Sequence, residues 1–331
     1  MKRSEGAIRR VTRLLLAIQA GAVLAIYLAM IHFFNVRSPL VAIAGALACV
    51  VLIRLMIVSN NFILALYYQS PTPPAHRLRA SAIIRLILHE FAASMTASSW
   101  TMAFHAFDKR LAPAATGLPV LLIHGYGCNS GYWHAMSRAL QQAGITHYAI
   151  DLEPVFSDID GFVPRVDQAV RRICSETGAD RIVLVAHSMG GLVVRAYLRD
   201  HGADRIQRVI TLGTPHRGTG LANFGWGPNS QQMRWTGRAD SGSASEWLQR
   251  LEAGEDANRR RLFVSIYSHH DNIVSPQQSA FMADATNIEL NGIGHVALGM
   301  SARVHQLVIA EILRASAAAN RSGITPTTAT G

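Results

Sequence analysis

"VLVAHSMGGLVVRAY", at residues 183–197, decides the fold that we expect for this chain. An apolar run ends at Ser188, two glycines follow, and apolar residues then return at helical spacing, which predicts a buried strand, a sharp turn and a helix. The pattern A-x-S-x-G is a near match to a nucleophile elbow, a turn that lifts a serine above a sheet. Ala186 and Gly190 supply the small residues that this turn needs on either side of Ser188.

Short apolar runs alternate with amphipathic runs on both sides of this stretch. Such alternation predicts an α/β fold with a doubly wound, mostly parallel sheet and helices on both faces. In such sheets, active groups lie at the carboxyl ends of the strands. We expect strands at 119–125, 146–152, 181–188, 206–215, 261–268 and 285–292, and helices at 131–144, 163–178, 190–202 and 303–315.

An elbow serine needs an acid and then a histidine later in the chain, in that order. Asp271 follows the strand at 261–268, and His295 lies in a Gly-rich loop before the last helix. We assign Asp284 to a helix, where it is poorly placed to orient a loop histidine. The sequence therefore predicts Ser188, Asp271 and His295 as a catalytic triad.

Three other histidines lie close to these residues in the chain. His269 and His270 precede the acid, so they break the expected order, and we interpret them as loop residues. His187 is the neighbour of the serine, and we expect it to point away from the serine. The strand end "LIHGYGCN" (122–129) supplies a loop whose backbone N–H groups can face an oxyanion.

Residues 118–313 resemble bacterial lipases and esterases of the α/β-hydrolase fold, closest to the small Bacillus type that has almost no lid. The segments that carry the resemblance are "VLLIHGYG", "VAHSMGG", "ITLGTPHRGT", "SIYSHHDNIVSP" and "GIGHVAL". The alanine of A-x-S-x-G is typical of that type. The resemblance implies Ser188 as nucleophile, Asp271 as acid, His295 as base, and the backbone N–H groups of Tyr126 and Met189 as the oxyanion hole. This chemistry needs no metal and no organic cofactor.

The first third of the chain is more apolar than the rest. The chain has 331 residues, half of them hydrophobic, and a mean hydropathy of +0.18. The runs 14–34 and 40–58 are each long enough to cross about 30 Å of hydrocarbon, and only Arg54 interrupts the second. We therefore predict an α-helical transmembrane hairpin. A cleaved signal peptide fits less well, because the first run is too long and no cleavage site follows it. Arg54 can snorkel to the interface if it lies near a helix end.

The positive charges predict the orientation of the hairpin. The net charge is +10, and Lys2, Arg3, Arg9, Arg10 and Arg13 precede the first run. A basic cluster that abuts an apolar run indicates a membrane flank, not a nucleic-acid site. The loop between the runs is poor in positive charge, so we expect both ends of the hairpin, and the catalytic domain, on the cytoplasmic side of a bacterial inner membrane. A third crossing at 91–104 would reverse this, but that run is short, and we prefer an interfacial or packed helix.

These patterns divide the chain into four parts. We expect a membrane hairpin at 1–69, a Pro-rich linker with a packed or interfacial helix at 70–110, a catalytic domain at 111–314 and a disordered tail at 315–331. The insertion 221–260 allows two interpretations. Its residues Trp226, Met233 and Trp235 line an acyl pocket or cap in one, and the insertion is an ordinary surface segment in the other.

The function that we expect is a membrane-anchored serine carboxylic-ester hydrolase of lipase type, acting on acylglycerols or other lipid esters. A phospholipase, a thioesterase or an acyltransferase would use the same triad, so sequence alone leaves these open. An inactive membrane scaffold is disfavoured by the complete set of triad residues. The expected partners are the lipid bilayer and an acyl-ester substrate, with no nucleic acid and no obligatory protein partner. The three cysteines have no metal-binding or disulfide spacing.

Overall fold

The central sheet follows the alternation read from the sequence. A computed structural model describes residues 6–321 of the chain. Seven strands form the sheet in the order β1-β3-β2-β4-β5-β8-β9, and all neighbouring pairs are parallel except β1 with β3. The strands are β1 Lys109–Arg110, β2 Val120–Ile123, β3 His147–Ile150, β4 Ile182–His187, β5 Ile206–Leu212, β6 Trp235–Thr236, β7 Ser243–Ala244, β8 Phe263–Ser268 and β9 Thr286–Leu290. The predicted doubly wound, mostly parallel α/β sheet is confirmed, with β6 and β7 as a separate small hairpin.

Helices cover both faces of the sheet, and in the described part of the chain four more, α1 to α4, precede the first strand. Their bounds are α1 Ala7–His32, α2 Pro39–Tyr68, α3 Ala80–Thr96, α4 Met102–Phe104, α5 His134–Gln142, α6 Val163–Thr177, α7 Met189–His201, α8 Pro228–Gln232, α9 Glu246–Ala253, α10 Ala257–Arg260 and α11 Ala302–Arg321. A π-helical turn, Ala97–Thr101, joins α3 to α4.

The core lies on both faces of β4, the strand that leads to Ser188. All six residues of β4 are buried, as expected for a central parallel strand with an apolar sequence. One face packs against α6 and α7, through residues such as Val166 and Leu192. The other packs against α5 and α11, through residues such as Leu140 and Val308. Each buried Val, Leu or Ile side chain stabilises the fold by about 1.5–3 kcal/mol, so β4 is held firmly from both sides.

The two apolar runs at the front form the long helices α1 and α2. By length and composition both could cross a membrane, although a signal sequence near an N-terminus meets the same criterion. Pro39 is the first residue of α2, and the Ser38 hydroxyl accepts a hydrogen bond from the Val41 N–H at 3.4 Å. Most of the large apolar side chains of both helices are exposed on the protein, so these helices are not core helices of the sheet domain.

Arg54 does not lie near a helix end, because α2 continues to Tyr68. Its guanidinium instead donates hydrogen bonds to Gln19 Oε1 of α1 at 2.8 Å and to Ser99 Oγ at 3.0 Å, and it also contacts Ser98. The expectation that Arg54 snorkels to the interface assumed a position near a helix end, and that position is wrong. Polar groups from two neighbouring helical segments satisfy Arg54 in the middle of its helix.

The segment 70–110 is not a free linker between two parts. Ala93, Ala97 and Met102 belong to the same core cluster as Trp133 of the sheet domain. The Asn129 side chain donates a hydrogen bond to the Met102 carbonyl at 2.9 Å. The segment 91–104, which covers the end of α3, the π-helical turn and α4, is thus packed, and the domain boundary near residue 110 stays a prediction. Apolar burial against the sheet domain holds this segment in place.

The C-terminal tail also differs from expectation, because 315–321 is helical and not disordered. Helix α11 continues to Arg321, with Ala315 and Ala319 buried. The Ser316 hydroxyl accepts a hydrogen bond from the Leu118 N–H at 2.9 Å. Small side chains allow this close approach of the helix to the loop before β2. The remaining tail residues, 322–331, lie outside the described residues.

Candidate active site

Ser188 sits at a strained turn between β4 and α7. Its backbone has φ 55° and ψ −128°, a region that residues other than glycine rarely adopt and that often marks functional sites. A Cβ on Gly190 would lie 2.5 Å from the Ile123 carbonyl oxygen and 2.6 Å from that of His124. The turn therefore needs a glycine at this position, as the A-x-S-x-G pattern predicts.

Asp271 and His295 form a buried pair on two loops that follow strands. His295 Nδ1 lies 2.8 Å from Asp271 Oδ2, and the two residues are 5% and 3% exposed. The other carboxylate oxygen, Oδ1, accepts hydrogen bonds from the N–H groups of Ile273 at 2.8 Å and Val274 at 2.7 Å. These bonds fix the carboxylate, so the carboxylate in turn fixes the ring of His295.

Gly213 brings this pair against the serine turn. The Ser188 N–H donates to the carbonyl of Leu212 at 2.9 Å, so the elbow is bonded to the residue just before Gly213. A Cβ on Gly213 would lie 3.0 Å from Asp271 Oδ2 and 3.3 Å from His295 Nδ1. The end of β5 is thus in contact with all three predicted triad residues, and the structure brings them together at one edge of the sheet.

The charge of Asp271 controls the protonation of His295. Burial alone would lower the pKa of His295, but the Asp271 charge, its hydrogen bond and the charge of Glu90 together raise that pKa above the ordinary histidine value. With Nδ1 engaged by Asp271, Nε2 is the ring nitrogen left to exchange a proton. The arrangement can therefore take a proton from a neighbouring hydroxyl and stabilise the imidazolium that results.

The predicted oxyanion donors flank the serine on two sides. Met189 is the first residue of α7, so its N–H lies at the positive end of a helix dipole. Tyr126 follows the loop residue Gly125, where a Cβ would lie 2.8 Å from the Cβ of Ser188. The loop of His124 and Gly125 therefore packs directly against the nucleophile turn.

The rejected alternatives lie away from His295, although one was rejected for the wrong reason. Asp284 is not in a helix: it occupies a turn with φ 62°, and its carboxylate pairs with Arg260 at 2.9 Å. His269 Nε2 lies 2.8 Å from Glu289 Oε2. His270 Nδ1 accepts a hydrogen bond from the Gly292 N–H at 3.3 Å.

We expected His187 to point away from Ser188; in the structure its ring lies beside His295. Its Nε2 lies 3.1 Å from the backbone carbonyl oxygen of His295, and the two ring centroids are 4.5 Å apart. Burial and the nearby His295 hold the pKa of His187 well below its usual value, so the ring is neutral. The neutral ring donates its Nε2–H to that carbonyl, so His187 helps to fix the backbone of His295.

The three residues of the expected acyl pocket or cap lie in different surroundings. Trp226 is 79% exposed, and its backbone N–H and carbonyl bond to the Tyr126 hydroxyl at 3.0 and 2.8 Å. Met233 is buried in the core cluster that contains Met189. Trp235 lies in β6, where its indole N–H donates to the Arg238 carbonyl at 3.2 Å. Tyr126 of the predicted oxyanion loop packs against the cluster that contains Met233 and bonds to Trp226, so the acyl pocket or cap stays a prediction.

One group of side chains away from the triad has metal-ligand chemistry. His76, His269 and Glu289 place three potential ligand atoms within 4.8 Å of one another. Their contacts already pair them: Glu289 Oε2 lies 2.8 Å from His269 and 3.4 Å from His76. The group ties the Pro-rich segment to β9, and the predicted hydrolytic chemistry does not pass through it.

Sequence reasoning missed several residues that hold the site. Asn272 Oδ1 accepts a hydrogen bond from the His295 N–H at 3.0 Å, and Thr214 Oγ1 donates to the Ser188 carbonyl at 2.9 Å. Their positions beside Asp271 and inside "LGTPH" offered a weak signal. Glu90 offered none, because it lies on α3, far from the other site residues in the chain.

The comparisons with known proteins agree with this architecture. A family profile for the alpha/beta hydrolase fold matches residues 119–234, which include Ser188 but end before Asp271 and His295. Lipase BlEst2 of Bacillus licheniformis, in its mature form, superimposes with a TM-score of 0.51 at 20% identity, over 62% of this chain and 94% of that one. The chain therefore has the α/β-hydrolase fold.

Two sequence relatives are triacylglycerol lipases. That of Pseudarthrobacter phenanthrenivorans is 36% identical over 120 residues, which are 34% of this chain and 37% of the relative. That of Burkholderia plantarii is also 36% identical over 120 residues, or 34% of this chain and 33% of the relative. The chain thus matches about a third of the length of these curated relatives.

Proposed function

We propose that this protein is a membrane-anchored serine hydrolase of lipid carboxylic esters. The observation that carries the proposal is Ser188 in its strained turn, bonded to Leu212 at the end of β5, where Gly213 lies against the 2.8 Å Asp271–His295 pair. A serine without a catalytic role would have no need of a turn with positive φ. Nor would it need a buried acid and histidine packed against Gly213. The similarity to triacylglycerol lipases over 120 residues supports ester hydrolysis.

The proposed reaction begins with attack of the Ser188 oxygen on the ester carbonyl. His295 Nε2 takes the hydroxyl proton during the attack, since a neutral serine is a weak nucleophile. Asp271 holds the Nδ1 proton and stabilises the imidazolium. His295 then returns its proton to the leaving alcohol as the tetrahedral intermediate collapses to an acyl-enzyme. Water, activated by the same histidine, releases the acid and regenerates the serine.

The oxyanion of each tetrahedral intermediate needs donors that are already in place. The Met189 and Tyr126 N–H groups are the candidates, and each such bond is worth about 3 kcal/mol of barrier. The close packing of Gly125 against Ser188 supports this assignment.

The front of the chain supports an anchor in lipid. Leu24 and Leu28 of α1 and Leu47 and Leu52 of α2 are exposed, with many apolar neighbours on both helices. An exposed apolar surface of this extent is typical of a lipid contact. The alternative of a removed signal sequence is disfavoured by Arg13, whose Nε donates to the Ala103 carbonyl at 3.1 Å. In this proposal both hairpin ends and the sheet domain share the cytoplasmic side.

The nucleophile is tested by Ser188→Ala in the full-length protein. We expect loss of hydrolysis of p-nitrophenyl esters by about a thousand-fold or more, because the covalent step disappears. A fluorophosphonate probe should label the wild-type protein and leave the variant unlabelled. Panels of acylglycerols, phospholipids and thioesters, assayed side by side, then rank the substrate classes.

The matched control is Ser241→Ala, an exposed serine in the small hairpin segment. It should keep both hydrolysis and labelling. A folded Ser188→Ala protein that hydrolyses esters at the wild-type rate would refute the serine mechanism.

A further inference from the structure

The loop that carries His295 is held from several directions. Asn272 accepts the His295 N–H at 3.0 Å, and His187 donates to its carbonyl. The Tyr132 hydroxyl accepts a bond from the Gly299 N–H at 3.0 Å and donates to the Val296 carbonyl at 3.1 Å. All these groups belong to the sheet domain, which the lipase resemblance covers.

One further contact comes from outside that domain. Glu90 of α3 accepts hydrogen bonds from the next two N–H groups after His295, those of Val296 at 2.9 Å and Ala297 at 3.0 Å. Its two carboxylate oxygens take one bond each. Only 1% of the residue is exposed, and a Cβ on Gly294 would lie 2.5 Å from Glu90 Oε2. The carboxylate therefore fills its site against this loop.

A buried carboxylate costs free energy, so its partners matter. Burial, with the charge of Asp271, raises the pKa of Glu90 above its ordinary value, and the two N–H bonds and the nearby His295 oppose the rise without cancelling it. Both oxygens accept N–H bonds, which suits the ionised form, because a proton on either oxygen would face an N–H. The titratable groups around it are His295, Asp271 and Tyr132.

We propose that Glu90 is a positioning residue for His295, by which the N-terminal helical region completes the hydrolase site. The proposal rests on the proposed function, since it assigns Glu90 a role in the same reaction. The carboxylate fixes the backbone on the C-terminal side of His295, and Asp271 fixes the ring. Its negative charge also favours the imidazolium that forms during attack.

A purely structural role predicts a different result. A side chain that only filled space would change stability, and the fraction of folded enzyme, without moving the proton equilibrium of His295. A charge that acts on His295 must shift the pKa of that residue. The acid limb of kcat/KM, and the pH dependence of fluorophosphonate labelling, separate the two cases.

The test compares Glu90→Gln, Glu90→Asp and wild-type protein, all full-length. Glu90→Gln removes the charge and turns an N–H acceptor into a donor, so we expect kcat to fall about 10- to 100-fold with little change in KM. Its acid limb should move to lower pH, because the charge that raises the His295 pKa is gone. Glu90→Asp keeps the negative charge, but its side chain is one methylene shorter. Its kcat should therefore fall, while the acid limb of its pH profile stays at the wild-type pH.

Two more variants guard against misfolding and against general effects. Gly294→Ala places a methyl group against the Glu90 carboxylate without changing charge, and should lower kcat with the limb unmoved. Glu311→Gln removes another buried carboxylate, on α11, and should leave kcat and the limb unchanged. An acid limb at the wild-type pH, or a wild-type kcat, in folded Glu90→Gln overturns the proposal.

The labelling readout keeps this test separate from that of the proposed function. If wild-type protein is labelled at Ser188 but hydrolyses no ester, the proposed function fails. The labelling rates of the Glu90 variants still decide the role of Glu90, with equal rates and equal pH dependence in Glu90→Gln and wild type counting against it.

Discussion

At the scale of residues, the site is a set of short contacts around His295. Asp271 bonds its ring, Asn272 and His187 bond its own backbone, and Glu90 bonds the next two residues. Each contact restricts the position of His295, whose ring must hold a proton in one orientation in the proposed reaction. Such preorganisation lowers the barrier without any movement at the moment of reaction.

The raised pKa of His295 gives a prediction for pH dependence. The general base must be neutral, and a raised pKa keeps it protonated to higher pH. Activity should therefore fall as the pH drops through a value above the ordinary histidine pKa of about 6.5. The measurement is kcat/KM for a non-ionising ester over about pH 5–9, where an acid limb reports the free enzyme. A midpoint below that of free histidine would show that the Asp271 charge does not control the base.

At the scale of elements, the elbow depends on the contact of α7 with the end of β2. Gly190→Ala would place a methyl group 2.5–2.6 Å from two carbonyl oxygens, so the backbone must move. We expect a loss of about 1–3 kcal/mol of unfolding free energy, as for other overpacked sites. We also expect reduced kcat, since the displaced loop carries Tyr126. Urea denaturation and ester hydrolysis measure the two effects.

Gly254→Ala is the matched control for this substitution. Its nearest neighbours lie at 3.5 and 3.7 Å, which is ordinary contact. It should change stability and activity little. If both variants behaved alike, close packing at the elbow would not be what selects glycine there.

The same elements show what a sequence can reveal. The strand, turn and helix around Ser188 were predictable because their signals are local: an apolar run, two glycines and a helical period. The order of Asp271 and His295 followed from strand ends. Glu90 was not predictable, since its partners lie 206 residues away and α3 looked like a membrane or linker helix. The helical end of α11 was missed because alanine and serine there pack closely while resembling a disordered tail.

At the scale of the whole molecule, the arrangement predicts a topology in the membrane. The near ends of the hairpin contact the sheet domain: the Ala7 N–H donates to Glu153 Oε1 at 2.5 Å, and the Ala65 carbonyl accepts from Ser275 Oγ at 2.8 Å. The loop between α1 and α2 includes the exposed Phe34. We therefore expect this loop and the sheet domain on opposite faces of a bilayer.

Single cysteines introduced into a cysteine-free background test this topology. Ser241→Cys, in the sheet domain, should react with a membrane-impermeant maleimide only in inverted inner-membrane vesicles. Phe34→Cys should react only in right-side-out spheroplasts. Reaction of both positions from the same side would show that the hairpin does not span, and reaction of Ser241→Cys from outside would reverse the orientation given by the charges.

The contact between Glu90 and the His295 loop also has a consequence in time. A ribosome releases the chain from its N-terminus, so α1 to α3 emerge long before the last loop. Ser188 and its turn can form while His295 and the two partners of Glu90 that follow it are still being made, so His295 is fixed only when both ends of the chain meet. Under the proposed function, an unfinished chain at the membrane carries a nucleophile without a working base, so we expect it to hydrolyse no membrane ester until synthesis is complete.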